Sequence, residues 1–303
     1  MTGSGLLLVF IFSLFFQGIL NRVKSLSSGR RGPGIFQAIK DILRLLQKQT
    51  IYSNTSSVIF RIAPSVYFAS ILCALLVLPF GSNPAIISFK GDFIFFIYVL
   101  ALGKFMMIVS ALDTGSPFEG MGANREALYS MLAEPAFFIL IGAFAMATGY
   151  TSFYEIYNHI DFSNYMLWLL AGLSIYILIQ IAMIENSRLP VDDPKTHLEL
   201  TMVHEVMILD NSGFDLGMIM YGTALKFVMF GLLMTNFILM PSMNFITQVG
   251  VFFGVQIVWA IIAGLLESFR ARERMKKNPQ YIFSLLIYSM LVFFGVTIIY
   301  YNF

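Results

Sequence analysis

Long apolar runs, separated by short polar segments, dominate this chain. A transmembrane helix needs about 20 apolar residues to cross a hydrocarbon core of about 30 Å. Eight runs approach that length, and we predict a span for each: residues 4–21, 60–80, 91–112, 127–149, 165–184, 218–241, 244–266 and 281–301. The pattern therefore predicts an all-α membrane protein in which residues 1–303 form one transmembrane domain of eight helices.

The basic residues predict how these spans are oriented. Sixteen of the 19 Lys and Arg residues fall in or beside the alternate loops 22–59, 113–126, 185–217 and 267–280, whereas Lys90 alone falls on the other side. Basic loops stay in the cytoplasm, so we expect an inner-membrane protein with its N-terminus outside. The first apolar run has no basic residue before it and Arg22 and Lys24 after it, which is the reverse of a cleavable signal peptide.

A second kind of helix is predicted between the first two spans, over about residues 33–48. Ile35, Ile39 and Ile42 recur at helical spacing, and Lys40 and Arg44 occupy the opposite face. This pattern is typical of an amphipathic helix that lies in the cytoplasmic membrane interface. Two interpretations remain open: a surface helix anchored to anionic lipid, or a bracket that frames an entrance into the bundle.

Composition excludes a redox centre of the chain's own. Hydrophobic residues make up 58% of the sequence and charged residues 12%, against about 25% charged in soluble domains. Cys73 is the only cysteine, so there is no intrachain disulfide and no thiolate cluster for zinc or an iron–sulfur centre. We expect no cofactor in this chain, and any electron transfer must use redox centres in partner subunits.

Two charges fall inside predicted spans at similar depth. Lys104 lies about 8 residues from the inner end of the third span and Glu134 about 7 from that of the fourth, or roughly 10 to 12 Å from the boundary at 1.5 Å per residue. A charge within the membrane needs a partner, a water-filled cavity or neutralisation. We expect Lys104 and Glu134 to be partners, either as a fixed ion pair or as part of a proton relay. Pro135 favours the relay, because proline frees a helix carbonyl for water.

The second inner loop, 113–126, is rich in glycine and carries several charges. One interpretation is that these charges are solvated. The alternative is that Glu119, Arg125 and Glu126 lead protons from the cytoplasm towards Glu134. The charged residues concerned are Asp113, Glu119, Arg125 and Glu126.

The most unusual segment runs from residue 185 to 215. It contains seven carboxylates, two basic residues and two of the three histidines. Asp193 followed by Pro194 is a helix-start signal, so we predict a helix from Pro194 to about Leu209. His197 and His204 are seven apart, unlike the i, i+4 pair of a zinc site, so we expect no metal here.

The acids of this segment are interleaved with apolar residues, so we predict that several are partly buried against the bundle. Clustered carboxylates out of water raise one another's pKa towards neutrality, where they can exchange protons. Arg188 is expected to be the ion-pair centre among them, because arginine forms bidentate pairs with carboxylates.

Ordered motifs make the chain similar to a known family. The motifs are Arg31-Gly-Pro33, Arg125-Glu126-Ala127, Ala133-Glu134-Pro135, Glu185-x-x-Arg188-x-Pro190-x-Asp192-x-Pro194, Glu199-Leu200, Glu205 and Ser212-Gly213. With these motifs in this order, the sequence resembles the membrane subunit that frames the quinone chamber of respiratory complex I, and resembles more closely its counterpart in formate hydrogenlyase and other group 4 membrane-bound [NiFe] hydrogenases. Val191 replaces a phenylalanine usual in complex I and Asp193 is an additional acid, which favours the hydrogenase branch.

The resemblance implies a coupling subunit that links electron transfer in a docked cytoplasmic arm to H⁺ or Na⁺ translocation. Its expected partners are a hydrogenase large-subunit-like protein with the Ni–Fe centre, a small subunit with iron–sulfur clusters, antiporter-like membrane subunits and the lipid bilayer, with no nucleic acid. Arg188 orders the acids in this interpretation. The residues assigned to ion coupling are Lys104, Glu134, Glu185, Asp192, Asp193, Glu199 and Glu205, with Asp113, Glu119, Arg125, Glu126 and Asp210 as loop acids and their partner.

Two alternatives stay open. The chain is either a quinone-binding subunit of a complex I-type oxidoreductase, which an inhibitory quinone analogue would support, or an independent carrier that uses Lys104 and Glu134. An independent carrier predicts transport by the purified subunit alone, whereas a coupling subunit is inert without its partners.

Overall fold

The computed structural model describes residues 3–53, 56–160, 165–193, 202–240, 243–272 and 274–301. Eight of its helices are long and apolar enough to cross a membrane, which confirms the predicted number of spans. These are α1 (Gly3–Ser27), α3 (Val58–Val77), α4 (Asp92–Asp113), α5 (Pro117–Thr148), α7 (Tyr165–Glu185), α9 (Gly213–Asn236), α10 (Phe245–Phe269) and α11 (Asn278–Tyr301). The shorter described helices are α2 (Gln37–Leu46), α6 (Phe153–His159) and α8 (His204–Met207).

The spans alternate in direction, so the chain divides into two ends. The polar end contains the end of α1, helices α2 and α8, and the start of α9; the aromatic end contains the 78–91 connection and α6. Helix α9 is the most enclosed of the eight spans and packs against α1, α2, α3, α7 and α10. It therefore forms the centre around which the other elements are arranged.

The amphipathic helix is present, over a shorter range than predicted. Helix α2 packs on α9 and α1 and buries Ile42, while Phe36 and Leu43 remain exposed on its outer side. A helix with one buried stripe and further exposed apolar residues is suited to lie against the bundle and the membrane interface together.

The segment 113–126 is not the glycine-rich loop that we predicted. Pro117 begins α5, which continues for 32 residues, and proline at a first helical position has the right φ and needs no hydrogen-bond donor. Gly122 lies where α5 meets the chain around α8: a Cβ there would be 2.3 Å from Val206 and 2.8 Å from the Val203 carbonyl oxygen. Glycine at this position permits close helix packing rather than a loop.

The helix predicted from Pro194 to Leu209 is only partly testable. Residues 194–201 lie outside the described residues, and the described part holds just α8. That helix ends before Leu209, because the Asn211 N–H bonds back to the Ile208 carbonyl and the Asp210 N–H is taken by the Glu119 carboxylate. Met202 and Val203 are not helical and α8 begins only at His204, so the prediction of one continuous helix from Pro194 to about Leu209 is wrong.

Candidate functional site

Four charged side chains from four different helices meet inside the bundle. We call Lys104, Glu126, Glu185 and Lys226, from α4, α5, α7 and α9, the ion cluster. Lys104 Nζ lies 2.8 Å from a Glu185 oxygen and 3.4 Å from a Glu126 oxygen, and Lys226 Nζ lies 3.4 Å from the second Glu185 oxygen. Ser130 accepts a further hydrogen bond of 2.8 Å from Lys104. Two cations and two anions are at most 10% exposed here, and such mutual pairing is what permits charges to be buried.

Glu134 forms no salt bridge with Lys104, so the expectation of a fixed ion pair is wrong, although the two charges still interact at longer range. Glu134 is half-buried and forms none of the salt bridges found among the described residues. It nevertheless lines a cavity of about 20 Å³ together with Lys104 and Glu185. Equal depth on consecutive helices fixes the height of a side chain but not the direction in which it points, and Lys104 points towards α7. Glu134 thus lies beside the ion cluster.

A second group of mostly buried charges joins α1, α10 and the segment that follows α7. Glu267, at the end of α10, is fully buried and pairs with Lys24 of α1 and with Arg188, whose guanidinium lies 3.4 Å away. Arg188 also donates to the Gln17 side chain at 3.1 Å and lies over the Phe227 ring, 5.3 Å from its centroid. We call Lys24, Arg188 and Glu267 the Glu267 triad.

The triad corrects the predicted role of Arg188. That residue was expected to pair with the acids of its own segment, yet among the described residues its carboxylate partner is Glu267, 79 positions away in the chain. The separation explains the error, because local sequence gives no signal for a pair of this kind.

A strained turn after α7 joins the two groups of charges. Ser187 has φ of +48°, in the left-handed region that disfavours residues other than glycine. This conformation reverses the chain, so the Arg188 N–H bonds to the Met183 carbonyl and the Ser187 hydroxyl donates to Glu126 at 3.1 Å. The turn thereby brings a hydroxyl onto the ion cluster and the guanidinium onto Glu267.

Asp192 organises the chain that follows this turn. Its buried carboxylate accepts the N–H groups of Asp193, Val203 and His204 at 2.9 to 3.1 Å, and it pairs with Arg272 at 3.1 Å. Burial raises the pKa of Asp192, and these hydrogen bonds and the Arg272 charge oppose that rise. Asp193 thus contributes its backbone to this arrangement.

A cavity of about 330 Å³ opens between α1, α2 and α9, and we call it the α2 cavity. Glu205 lines it, and burial raises the pKa of this carboxyl, with Asp192 adding to the rise and Arg188 opposing it. Its lining includes both polar and apolar side chains. The lining residues are Gln17, Asn21, Ala38, Asp41, Ile42, Asn186, Ser187, Arg188, His204, Glu205, Ile208, Leu216, Ile219, Met220, Thr223 and Ala224.

The other acids predicted from the 113–126 segment have different surroundings. Glu119 is buried and accepts the Asp210 N–H at 3.2 Å, while Asp210 itself is exposed. Arg125 donates to the Met202 carbonyl at 2.9 Å. Both contacts fasten the 202–210 segment onto α5, so of the three residues proposed to lead protons inwards only Glu126 lies in the ion cluster.

Asp113 does not join the site, and Glu199 cannot be placed relative to it. Asp113 accepts the Ser57 N–H at 2.7 Å at the surface of the polar end. Glu199 lies outside the described residues, as does His197. Within the ranges that the structure covers, no three His, Cys, Asp or Glu side chains are placed to hold a metal ion.

Three residues of the site were missed from the sequence. Lys226 lies within the predicted sixth span, and Glu267 and Arg272 lie in the predicted inner loop 267–280, where none of them was singled out. An isolated charge in an apolar run was a usable signal for Lys226, by the same reasoning that singled out Lys104.

Comparison with known proteins identifies the family. The sequence profile described as NADH dehydrogenase matches residues 3–298. The chain is 31% identical over 217 residues to hydrogenase-4 component C of Escherichia coli K12, covering 70% of this chain and 66% of that protein. It is 28% identical over 281 residues to formate hydrogenlyase subunit 4 of the same organism, covering 90% of this chain and 91% of that one.

More distant relatives share the same architecture. A subunit of the NADH-quinone oxidoreductase of Rickettsia africae is 24% identical over 237 residues, covering 74% of this chain and 68% of the relative. A chain in the structure of the membrane-bound sulfane sulfur reductase, an archaeal respiratory membrane complex, superposes with a TM-score of 0.79 over 95% of both chains at 20% identity, which shows a common fold. With a profile match across nearly its whole length, this chain belongs to the NADH dehydrogenase family.

Proposed function

We propose that this chain is the membrane coupling subunit of a multisubunit oxidoreductase of the hydrogenase or formate-hydrogenlyase type. In this proposal it links electron transfer in a docked cytoplasmic arm to translocation of H⁺ or Na⁺. The Ni–Fe centre and iron–sulfur clusters belong to hydrogenase-like partners at the polar end, and antiporter-like subunits lie beside it in the membrane. In this proposal the chain lies in the inner membrane, with its N-terminus on the side opposite the cytoplasm.

The observation that carries the proposal is the ion cluster. Four charges from four helices are buried in the cluster. Exchanging a buried ion pair for apolar residues is often neutral or stabilising, so the stability of the fold does not require these charges. A charge network of this kind within a span points to an ion pathway rather than to a structural need.

The position of the α2 cavity fits this interpretation. Ser187 lines the cavity and also donates to Glu126 in the cluster. A charge that appears near the cavity during a redox event acts strongly across this short distance, because Coulomb interactions are weakly screened in a low-dielectric interior. The carboxylates respond by changing their protonation, and the cluster passes the change towards neighbouring subunits.

Glu134→Gln tests the proposal with little structural disturbance, because Glu134 borders the cluster without being in one of its ion pairs. The intact complex is reconstituted into liposomes, dye-linked hydrogenase activity is measured, and uptake is followed with a pH dye for H⁺ and with radioactive sodium for Na⁺. We expect at least a tenfold fall in ion uptake per electron, with dye-linked activity retained.

Glu155→Gln is the matched control, because Glu155 lies in α6 at the aromatic end. It should behave as the wild type. Unchanged ion uptake in Glu134→Gln, or uptake by this subunit purified alone, would contradict a coupling role.

The volume of the α2 cavity supports one alternative, a quinone-binding subunit. At about 330 Å³ it falls within the range of about 300–1,000 Å³ typical of small-molecule sites, and its lining includes apolar side chains such as Ile219 and Met220. A quinone analogue that inhibits the complex competitively, and loses potency when Ala224→Phe narrows the cavity, would favour this alternative. Insensitivity of the wild-type complex to such analogues favours the hydrogenase type.

A further inference from the structure

His204 lies between two cavities. Besides the α2 cavity, a smaller cavity of about 10 Å³ borders the ion cluster, and we call it the cluster cavity. That volume is close to the roughly 10–15 Å³ that one water molecule requires. Of the side chains that the structure describes, His204 alone lines both cavities. The lining of the cluster cavity is Tyr67, Lys104, Met107, Glu126, Glu185, His204, Met207 and Lys226.

We propose that His204 transfers protons between the α2 cavity and the ion cluster. This inference rests on the proposed coupling function and identifies the group that connects redox-linked charge at the cavity with the buried carboxylates. His204 was considered in the sequence only as a metal ligand, so this is a separate role.

The backbone around His204 holds the ring in this position. Its N–H donates to Asp192 at 3.0 Å, beside the Val203 N–H at 3.1 Å. The following turn is pressed onto α5, where Gly122 leaves room for Val206. The imidazole therefore projects from a fixed point rather than from a free loop.

The chemistry requires no other reactant. A neutral imidazole carries one ring nitrogen that accepts a proton and one that donates. His204 accepts a proton on one nitrogen from water or Glu205 in the α2 cavity and releases the proton of the other nitrogen to the cluster cavity, where Glu126 or Glu185 receives it. One N–H bond forms and one breaks, the ring returns to neutrality, and no electron is transferred.

The charges around the imidazole ring keep it neutral until a redox event alters the charge near the α2 cavity. Burial is the main cause that lowers the pKa of His204 to about 4; the charges of Lys226, Lys104 and Arg188 act in the same direction, and Glu126 opposes them. The groups that face it are Lys104 of α4, Glu126 of α5, Glu185 of α7, Arg188 of the following turn, Asp192, Glu205 of α8 and Lys226 of α9. Added negative charge near the cavity raises its proton affinity, so transfer follows the redox event.

His204→Ala in the intact complex tests this inference, because it leaves a gap that opens into the α2 cavity. We expect proton uptake by liposomes to fall at least tenfold while dye-linked electron transfer persists. Added imidazole should restore uptake, since a small base can occupy the gap and exchange protons. A merely structural role for His204 predicts no rescue.

Two further variants make the result decisive. His204→Gln preserves much of the side-chain size but cannot take up a proton, so it should lose uptake without imidazole rescue, even if the alanine variant assembles poorly. His159→Ala is the matched control, because His159 is exposed at the aromatic end.

Four outcomes would overturn the inference. They are wild-type uptake in His204→Gln, impaired uptake in a fully assembled His204→Ala complex that imidazole does not rescue, loss of uptake in Ser187→Ala but not in His204→Ala, and translocation of Na⁺ alone. Absence of any ion uptake in the wild-type complex would instead remove the proposed function itself, so the two failures are distinguishable.

Discussion

The two ends of the bundle use buried charge in different ways. At the aromatic end a single carboxylate, Asp92, accepts the Ser152 hydroxyl and the Phe153 N–H, both at 2.7 Å, and so fastens the start of α6. Rings pack around it, with Phe96 and Tyr157 each in contact with Phe153. At the polar end the buried carboxylates of the ion cluster and triad face cations instead.

This difference separates structural charge from charge that can respond. Hydrogen bonds from the Ser152 hydroxyl and the Phe153 N–H satisfy Asp92 locally. Each charge of the ion cluster depends on neighbours in other helices, and a change in one shifts the balance for all of them. We expect substitutions at the aromatic end to affect stability alone and those at the polar end to affect stability and function together.

Glu185→Gln should have the largest effect, because Glu185 is the carboxylate shared by Lys104 and Lys226. Breaking a buried pair leaves an uncompensated charge and costs about 3–5 kcal/mol. Denaturant titration of the detergent-solubilised subunit measures this loss. Glu185→Gln/Lys226→Met should recover part of the stability without recovering ion uptake. A stable and fully coupled single variant would show that the cluster is not a unit.

Glu267→Gln should be the next most damaging. The substitution deprives Lys24 and Arg188 of their shared carboxylate, although Arg188 keeps its contacts with Gln17 and Phe227. Loss of hydrogen bonds to charged groups predicts a fall in unfolding free energy of about 2–3 kcal/mol. The same titration checks the value. Lys24→Gln removes only one partner of Glu267, so it should lower the unfolding free energy by less. An equal or larger loss would show that Lys24 and Arg188 do not share the Glu267 carboxylate in this way.

His204 should give stability a distinct pH dependence. Its pKa is about 4 in the folded chain and about 6.5 when unfolded. The folded state binds the proton less readily than the unfolded state. The contribution of His204 to the free energy of unfolding is therefore present above about pH 6.5 and is lost as pH falls towards 4. The raised pKa values of Asp192 and Glu205 act oppositely, since their contributions are lost as pH rises.

The difference between wild type and His204→Gln isolates the contribution of the ring. Between pH 6.5 and 4 the wild type should lose about 2 kcal/mol more than the variant, measured by thermal or denaturant unfolding at each pH. His159→Gln should leave the wild-type profile unchanged. Parallel profiles for wild type and His204→Gln would rule out a buried neutral ring.

The smallest effect is expected at the aromatic end. Asp92→Ala removes the acceptor for Ser152 and Phe153 and should reduce stability by about 1 kcal/mol, as for loss of a helix cap. Ion uptake per electron should equal that of the wild type. A coupling defect in this variant would break the contrast between the two ends.

The spans were predictable from sequence because length and apolar content alone determine whether a helix can cross a bilayer. The start of α5 was not, because glycines and charges between 117 and 126 reduce hydropathy without preventing a helix. Polar residues on that stretch are directed at other parts of the protein: Glu119 and Arg125 bind the 202–210 segment, and Glu126 joins the ion cluster.

The composition of the site was partly predictable and its pairing was not. Lys104 and Glu185 were identified as buried charges with functional chemistry, but the partners of Lys104 and Arg188 were assigned wrongly. Pairing depends on the rotation of each helix about its axis and on which helices are neighbours, and neither quantity is set by depth or by position along the chain. The roles assigned to the acids in ion coupling remain predictions.

The Glu267 triad also has a consequence for sequence variation. Lys24 and Glu267 are 243 positions apart, yet their substitutions should be coupled: a neutral residue at 267 removes the carboxylate that Lys24 and Arg188 share, and a neutral residue at 24 or 188 removes one of its two cations. Among homologues, accepted substitutions at these positions should therefore occur in compensating sets. Statistical covariation of positions 24, 188 and 267 across an alignment would record the triad without any structure.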